Sequence, residues 1–208
     1  MNYKILALVV LAILVAGCVI QPPTGAVTKP FEYDFAGKTF HFRGNLFEAE
    51  KIQVEPNDRA LINALLDPNA QSISFYFIPN STENGFYQVA AYELSYKLTI
   101  INQYYLGKTI PIHTFYLDSA DETIPNGPTQ PAIAFVGPSN AEKTSVRVNN
   151  NLVVLEGVDF SENGRQYTDL DLAVAKMLLV LMKAEQTLSQ NSTDTTSTSQ
   201  TLPTLPAS

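Results

Sequence analysis

The chain has 208 residues, a formal net charge of −7, one cysteine and 45% hydrophobic residues. With no basic run anywhere, that charge argues against a nucleic-acid partner and against electrostatic docking on anionic lipid. A lone cysteine rules out an internal disulfide and, once consumed, leaves no thiol for nucleophilic or metal chemistry.

Residues 1–17 read as a signal peptide. Met1-Asn2-Tyr3-Lys4 supplies a positive start, Ile5 to Ala16 is an unbroken apolar run, and Ala16-Gly17 brings small residues up to Cys18. Ile5 to Ile20 is about sixteen residues, below the roughly twenty of a bilayer span, and Pro22-Pro23 blocks helical extension. An uncleaved N-terminal anchor is the alternative. Val15-Ala16-Gly17-Cys18 resembles the lipobox of prokaryotic lipoproteins. That resemblance implies that Cys18 carries a diacylglyceryl thioether, becomes the first mature residue and holds the chain to the membrane on its extracytoplasmic side. Two acyl chains on one residue anchor stably where one does not.

Residues 18–30 then form the lipidated cysteine and a proline-rich tether, with Pro22, Pro23 and Pro30 keeping it extended. The globular domain is placed at 31–186. Residues 187–208 are more than half Ser and Thr, with almost nothing apolar to bury, and read as a disordered tail.

Within the domain, Tyr33 and Phe35, then Phe40 and Phe42, alternate with polar residues around Ala36-Gly37-Lys38 and predict a hairpin. Lys51 to Val54 reads as a short strand. Asn57 or Asp58 caps a short helix to Leu66, ended by Asp67-Pro68. Ser72 to Ile78 is a strand. Asn84 is the expected N-cap of a long helix to Leu106, with Gly107 just past its end. Tyr87, Ala91, Leu94, Leu98, Ile101 and Tyr105 share one face of that helix, and Glu93 and Lys97 pair at i,i+4 on the other side. Thr109 to Leu117 follows as a strand, which completes a βαβ unit with parallel strands and a right-handed crossover.

Ala132 to Val136 is a short apolar strand stopped by Gly137-Pro138. Ser145 to Val148 and Leu152 to Glu156 flank an Asn149-Asn150-Asn151 turn. Thr168 and Asp171 fit a capping box for a last helix to about Met182. Its polar positions Asp169, Lys176 and Lys183 are spaced by seven and form one narrow stripe, as on a buried helix; a docking face for another protein is the alternative. The expected fold is therefore α/β, a single domain with a mixed β-sheet, a βαβ unit, β-hairpins and a buried C-terminal helix.

Chemistry is sparse. Ala36-Gly37-Lys38-Thr39 resembles the end of a phosphate-binding loop, but Glu32 stands where the first glycine belongs and no helix follows. His41 and His113 both fall in strands without a partner at metal spacing. Ser139 lacks the Gly-x-Ser-x-Gly elbow of a hydrolase. Asp118, Asp121 and Glu122 cluster in one loop without the regular spacing of a calcium loop, and read as an acidic surface. No catalytic residue, metal site or cofactor is expected.

In a parallel sheet, ligands lie beyond the carboxyl ends of the strands at a switch point. The loops there are 80–85 and 137–140, and Asn80, Ser81, Asn84, Gly137, Ser139 and Asn140 are the candidate ligands of a small neutral polar solute. Glu83 would oppose a phosphate. Asn80-Ser81-Thr82 and Asn191-Ser192-Thr193 are also glycosylation sequons; a glycan on Asn80 would obstruct the crevice, so the two readings compete.

Residues 132–182 carry Ala-Ile-Ala-Phe-Val-Gly-Pro, a hairpin ending Leu-Val-Val-Leu-Glu-Gly, and Tyr-Thr-Asp-Leu-Asp-Leu-Ala-Val-Ala-Lys before an apolar helix. This order resembles archaeal S-layer-type cell-surface proteins, and it implies a surface role with no site residue to transfer. The expected function is a non-enzymatic, lipid-anchored extracytoplasmic domain with a structural or interaction role in the cell envelope. Its partners would be the membrane, through the anchor, and envelope proteins. The alternative is a lipoprotein that binds a small polar solute through loops 80–85 and 137–140.

Overall fold

The computed structural model describes residues 27–77, 83–117, 127–159, 168–185 and 187–188. Cys18, the tether up to residue 26, Asn80, Ser81, the acidic loop with Asp118, Asp121 and Glu122, and Asn191 lie outside the described residues. The expected α/β architecture is the one the chain adopts.

Strands β1 (Glu32–Phe35) and β2 (Lys38–His41) form the first hairpin, an antiparallel two-stranded sheet of its own. Its two-residue turn places Ala36 at φ 52° and Gly37 at φ 72°, the left-handed conformations that match hairpin twist. Helix α1 (Leu46–Lys51), strand β3 (Val54–Glu55) and helix α2 (Asp58–Leu65) follow. The strand expected at 51–54 is thus largely wrong. The Asn45 side chain accepts from Phe47 N and Glu48 N and opens a helix whose Leu46 and Ala49 are buried, so only Val54–Glu55 is extended. Asn57 caps α2 as expected, accepting from Ala60 N.

The main sheet adds β4 (Ile73–Phe77), β5 (Ile112–Tyr116), β6 (Ala132–Val136), β7 (Ser145–Asn149) and β8 (Leu152–Glu156), in the order β3-β7-β8-β6-β4-β5. Only β7 and β8 pair antiparallel; the other neighbours are parallel. Helix α3 (Asn84–Leu106) crosses from β4 to β5 and ends at Gly107, φ 66°, as the βαβ reading requires. One correction applies to it: Glu83, not Asn84, precedes the helix and makes no side-chain cap. The expected Glu93–Lys97 pair forms and is buried, its side chains only 9% and 5% exposed. The first hairpin covers that side of α3: the Lys97 ammonium lies 4.2 Å from the centre of the Phe42 ring, and Arg43 N donates to Glu93 Oε1.

Strand alternation divides the sheet. Ile73, Phe75, Phe77, Ile133, Phe135, Val153 and Leu155 face the helices and join the main core, with Phe77 and Phe135 stacked across neighbouring strands at 4.9 Å. Ala132, Ala134 and Leu152 face the opposite way, with Tyr76 and Val154 packed beside them. Helix α4 (Asp169–Met182) is the centre of the helical layer, packed on β7 and β8 and against α1, α2 and α3. Its capping box is formed by Thr168 and Asp171. All of it is buried except Asp169 and Lys176, and Lys176 and Lys183 both reach Glu50 at the end of α1. Among the described residues, the chain's own elements cover the sides of α4.

Candidate functional site

The switch point lies between β4 and β6. The chain leaving β4 crosses through α3 to β5 on one side, and the chain leaving β6 turns to β7 and β8 on the other. At the carboxyl ends of these neighbouring strands the described end of the first loop, from Glu83 onward, meets the 137–140 loop. The residue that joins them is Glu83, buried at 5% exposure. Glu83 Oε1 accepts from Ser139 Oγ at 2.8 Å and from Ser139 N at 3.1 Å. Its Oε2 accepts from the Tyr87 hydroxyl at 2.6 Å, and that hydroxyl accepts from Gly137 N at 2.9 Å.

Local sequence explains the arrangement. Glu83 and Tyr87 are four apart, so the first turn of α3 presents both to one side. Gly137 ends β6 against them. A Cβ there would sit 2.4 Å from Glu83 Oε2 and 2.5 Å from the Tyr87 hydroxyl, so only glycine lets the backbone come close enough to donate. Asn140 N and Ala141 N both donate to Gly137 O and turn the chain away. Burial, followed by the hydrogen bond to Glu83, pushes the Tyr87 phenol well above its usual range, so it stays a neutral donor.

Four of the six expected ligands lie among the described residues, and they separate. Gly137 and Ser139 belong to this network. Asn84 begins α3, and its Oδ1 is buried without a hydrogen-bond partner. Asn140 lies further out, beside a cavity of about 380 Å³ shared with Glu55, Glu142, Lys143, Arg147 and Glu156. Four of its charges pair: Arg147 Nε and Nη2 hold the two Glu156 oxygens, where Ser145 Oγ also donates, and Lys143 pairs with Glu55. Tyr87 is the member that sequence reasoning missed. It belongs to the packing face of α3, where its ring lies tilted against Phe77 with centres 6.0 Å apart, but its hydroxyl reaches past the core to the loop.

Chemically, the crevice holds a carboxylate already accepting three donors. Its charge repels phosphate, and the Ser139 hydroxyl is among the donors it accepts. His41 faces Glu32 on the hairpin at 3.6 Å, and His113 on β5 stands in register with Ser74, about three residues or 10 Å short of the strand ends. Among the described residues, no group of three or more His, Cys, Asp or Glu side chains is placed to hold a metal ion, and no helix is long and apolar enough to cross a membrane. Compared with protein-family profiles, curated proteins and solved structures, the chain matches none.

Proposed function

We propose that this protein is a lipid-anchored extracytoplasmic domain, tethered through Cys18, whose role in the cell envelope is structural or interactive. The observation that carries this reading is the N-terminal sequence: a charged start, the apolar run from Ile5 to Ala16, and Gly17-Cys18 placed directly before a proline-rich tether. A net charge of −7 favours envelope proteins over nucleic acid as partners. The weakly similar order of strand, hairpin and apolar helix in S-layer-type proteins points the same way.

The solute-binding alternative is second because Glu83 and Tyr87 already fill the switch-point crevice. A polar solute would have to displace Ser139 from Glu83 and replace both of its hydrogen bonds.

Intact mass of the protein purified from its own host tests the reading. The expected species begins at Cys18 and carries acyl groups, and Cys18→Ser moves the protein from the detergent phase to the aqueous phase on partitioning. A polypeptide beginning at Met1, or one without an acyl adduct, refutes it. Cross-linking in the intact envelope then identifies the neighbours, with the Cys18→Ser protein as the comparison.

A further inference from the structure

The feature that the switch point does not account for is a groove of about 500 Å³ between the first hairpin and α3. One wall is the outer face of α3, where Val89, Tyr92 and Tyr96 recur at i, i+3 and i+7 and so share a side. Tyr92 is 80% exposed and Tyr96 61%, the most open large hydrophobic residues among those described. The other wall is β2 and its flanks, with Lys38, Thr39 and Arg43 facing the same space. Lys38 has no ion-pair partner among the described residues, while Arg43 keeps one 3.4 Å contact with Asp171.

The floor supplies the second observation. Glu93 lines the groove with its side chain nine-tenths buried. Its Oε1 takes Lys97 and Arg43 N, but its Oε2 has no hydrogen-bond partner. A buried carboxylate oxygen without a donor is rare enough to need a reason.

We propose that this groove is a saccharide-binding site. The walls ask for a ligand with a flat apolar face, which the two tyrosines meet as rigid amphipathic platforms. Glu93 Oε2 asks for a donor, and Lys38 and Arg43 ask for acceptors, while the Thr39 hydroxyl already donates to Asp34 and keeps only its acceptor lone pairs. A pyranose ring offers C–H faces and hydroxyls that both donate and accept. A bare anion would meet Glu93, and a purely apolar ligand would leave Glu93 and the polar hairpin wall unmatched. The volume fits a mono- or disaccharide. The site lies wholly within residues 38–97 and does not depend on the lipid anchor, so failure of either reading leaves the other standing.

The test is titration of the full chain, purified in a sugar-free detergent, with glucose, galactose, mannose, N-acetylglucosamine, glucuronic acid, cellobiose and chitobiose, followed by amide NMR. We expect at least one sugar to saturate at about millimolar concentration, with shifts confined to residues 38–43 and 89–97. Tyr92→Ala, at a position too exposed to affect folding, should weaken that binding by about tenfold. Phe115→Ala, on the far edge strand, should leave it unchanged. No saturable binding across the panel, shifts centred elsewhere, wild-type affinity in both Tyr92→Ala and Tyr96→Ala, or saturation by adenosine or uridine in place of sugars would each overturn the proposal.

Discussion

Removing one oxygen atom from the switch point, as Tyr87→Phe, isolates what the buried network contributes. The ring is 1% exposed and keeps its packing on Phe77, so no cavity opens. Two hydrogen bonds are lost. The one to the Glu83 carboxylate involves a charged acceptor, worth about 1.5–3 kcal/mol, and the lost acceptor leaves Gly137 N–H buried and unpaired, costing about 1–3 kcal/mol. The two overlap, because Glu83 keeps both Ser139 donors, so we take about 3 kcal/mol for the pair. For a domain near 150 residues that corresponds to a fall in Tm of about 6–12 °C. Ser139→Ala is the internal comparison: Ser139 is exposed and its backbone N–H stays on Glu83, so the loss is about 1 kcal/mol. Urea denaturation of the two variants and the double variant reads both values and their coupling. A Tyr87→Phe protein within about 0.5 kcal/mol of wild type would mean that the phenol, Glu83 and the 137–139 loop are not held together as described.

Other outcomes follow from the same geometry. Gly157→Ala would place a Cβ 2.4 Å from Leu170 N and 2.8 Å from Leu170 Cα; backbone cannot yield as a side chain can, so we expect a loss of about 3 kcal/mol or failure to fold. Gly85→Ala, in the first turn of α3 with nothing within 4 Å of the new atom, should raise stability by about 0.5–1 kcal/mol, and a calorimetric scan of the two variants should move in opposite directions. Glu93→Ala strands the buried Lys97 ammonium and should cost about 3–5 kcal/mol, whereas Glu93→Leu combined with Lys97→Leu should fall within about 1 kcal/mol of wild type; equal losses in denaturant would deny that the pair is buried. Burial pushes the Tyr87 and Tyr105 phenols up, with the Glu83 hydrogen bond adding for Tyr87 and the Glu185 charge for Tyr105. Above pH ~10 the unfolded chain releases protons that the folded chain retains, so stability is full below that pH and falls as pH rises, by about 1.4 kcal/mol per unit for each phenol. Urea midpoints at pH 9 and 11 measure the slope, which Tyr87→Phe should make shallower; an unchanged slope would contradict the burial of that hydroxyl.

What the sequence revealed was local or periodic. The parallel β4-α3-β5 unit follows from an apolar run, a helical repeat and Gly107, all signals carried within some forty residues. The Thr168–Asp171 box and the narrow stripe of Asp169, Lys176 and Lys183 marked both the start and the burial of α4. The first hairpin was evident in its alternation, but whether it joined the main sheet was not, because pairing between distant strands leaves no local trace. Helix α1 is not legible in the sequence because six residues hold too little periodicity to outweigh a reading by alternation. The burial of the Glu93–Lys97 pair is hidden for a different reason: an i,i+4 ion pair has the same spacing whether water or a hairpin lies over it. The site was half visible. Strand order brings the start of α3 and the 137–140 loop to one end of the sheet, but Glu83 bonds a serine 56 positions away, and nothing local to Tyr87 says that its hydroxyl leaves the core.

These polar contacts explain why the aromatic stripe of the groove faces outward. Helix α3 carries apolar residues around much of its circumference, so hydrophobic burial alone specifies its rotation weakly. Polar ties fix it at three heights. Glu83 and Tyr87 bind the 137–139 loop at its start, Glu93 and Lys97 meet the hairpin at Arg43 and Phe42 midway, and the Tyr105 hydroxyl donates to Met182 O at 3.1 Å near its end. Turning the helix by one residue, about 100°, would carry Tyr92 inward and satisfy the hydrophobic effect at that position, but it would break the ties at all three heights and leave buried carboxylates and an ammonium without partners, each a loss larger than one tyrosine ring gains by burial. Tyr92 and Tyr96 are therefore held in solvent by the buried groups on the rest of the helix, beside a hairpin whose own cations face them.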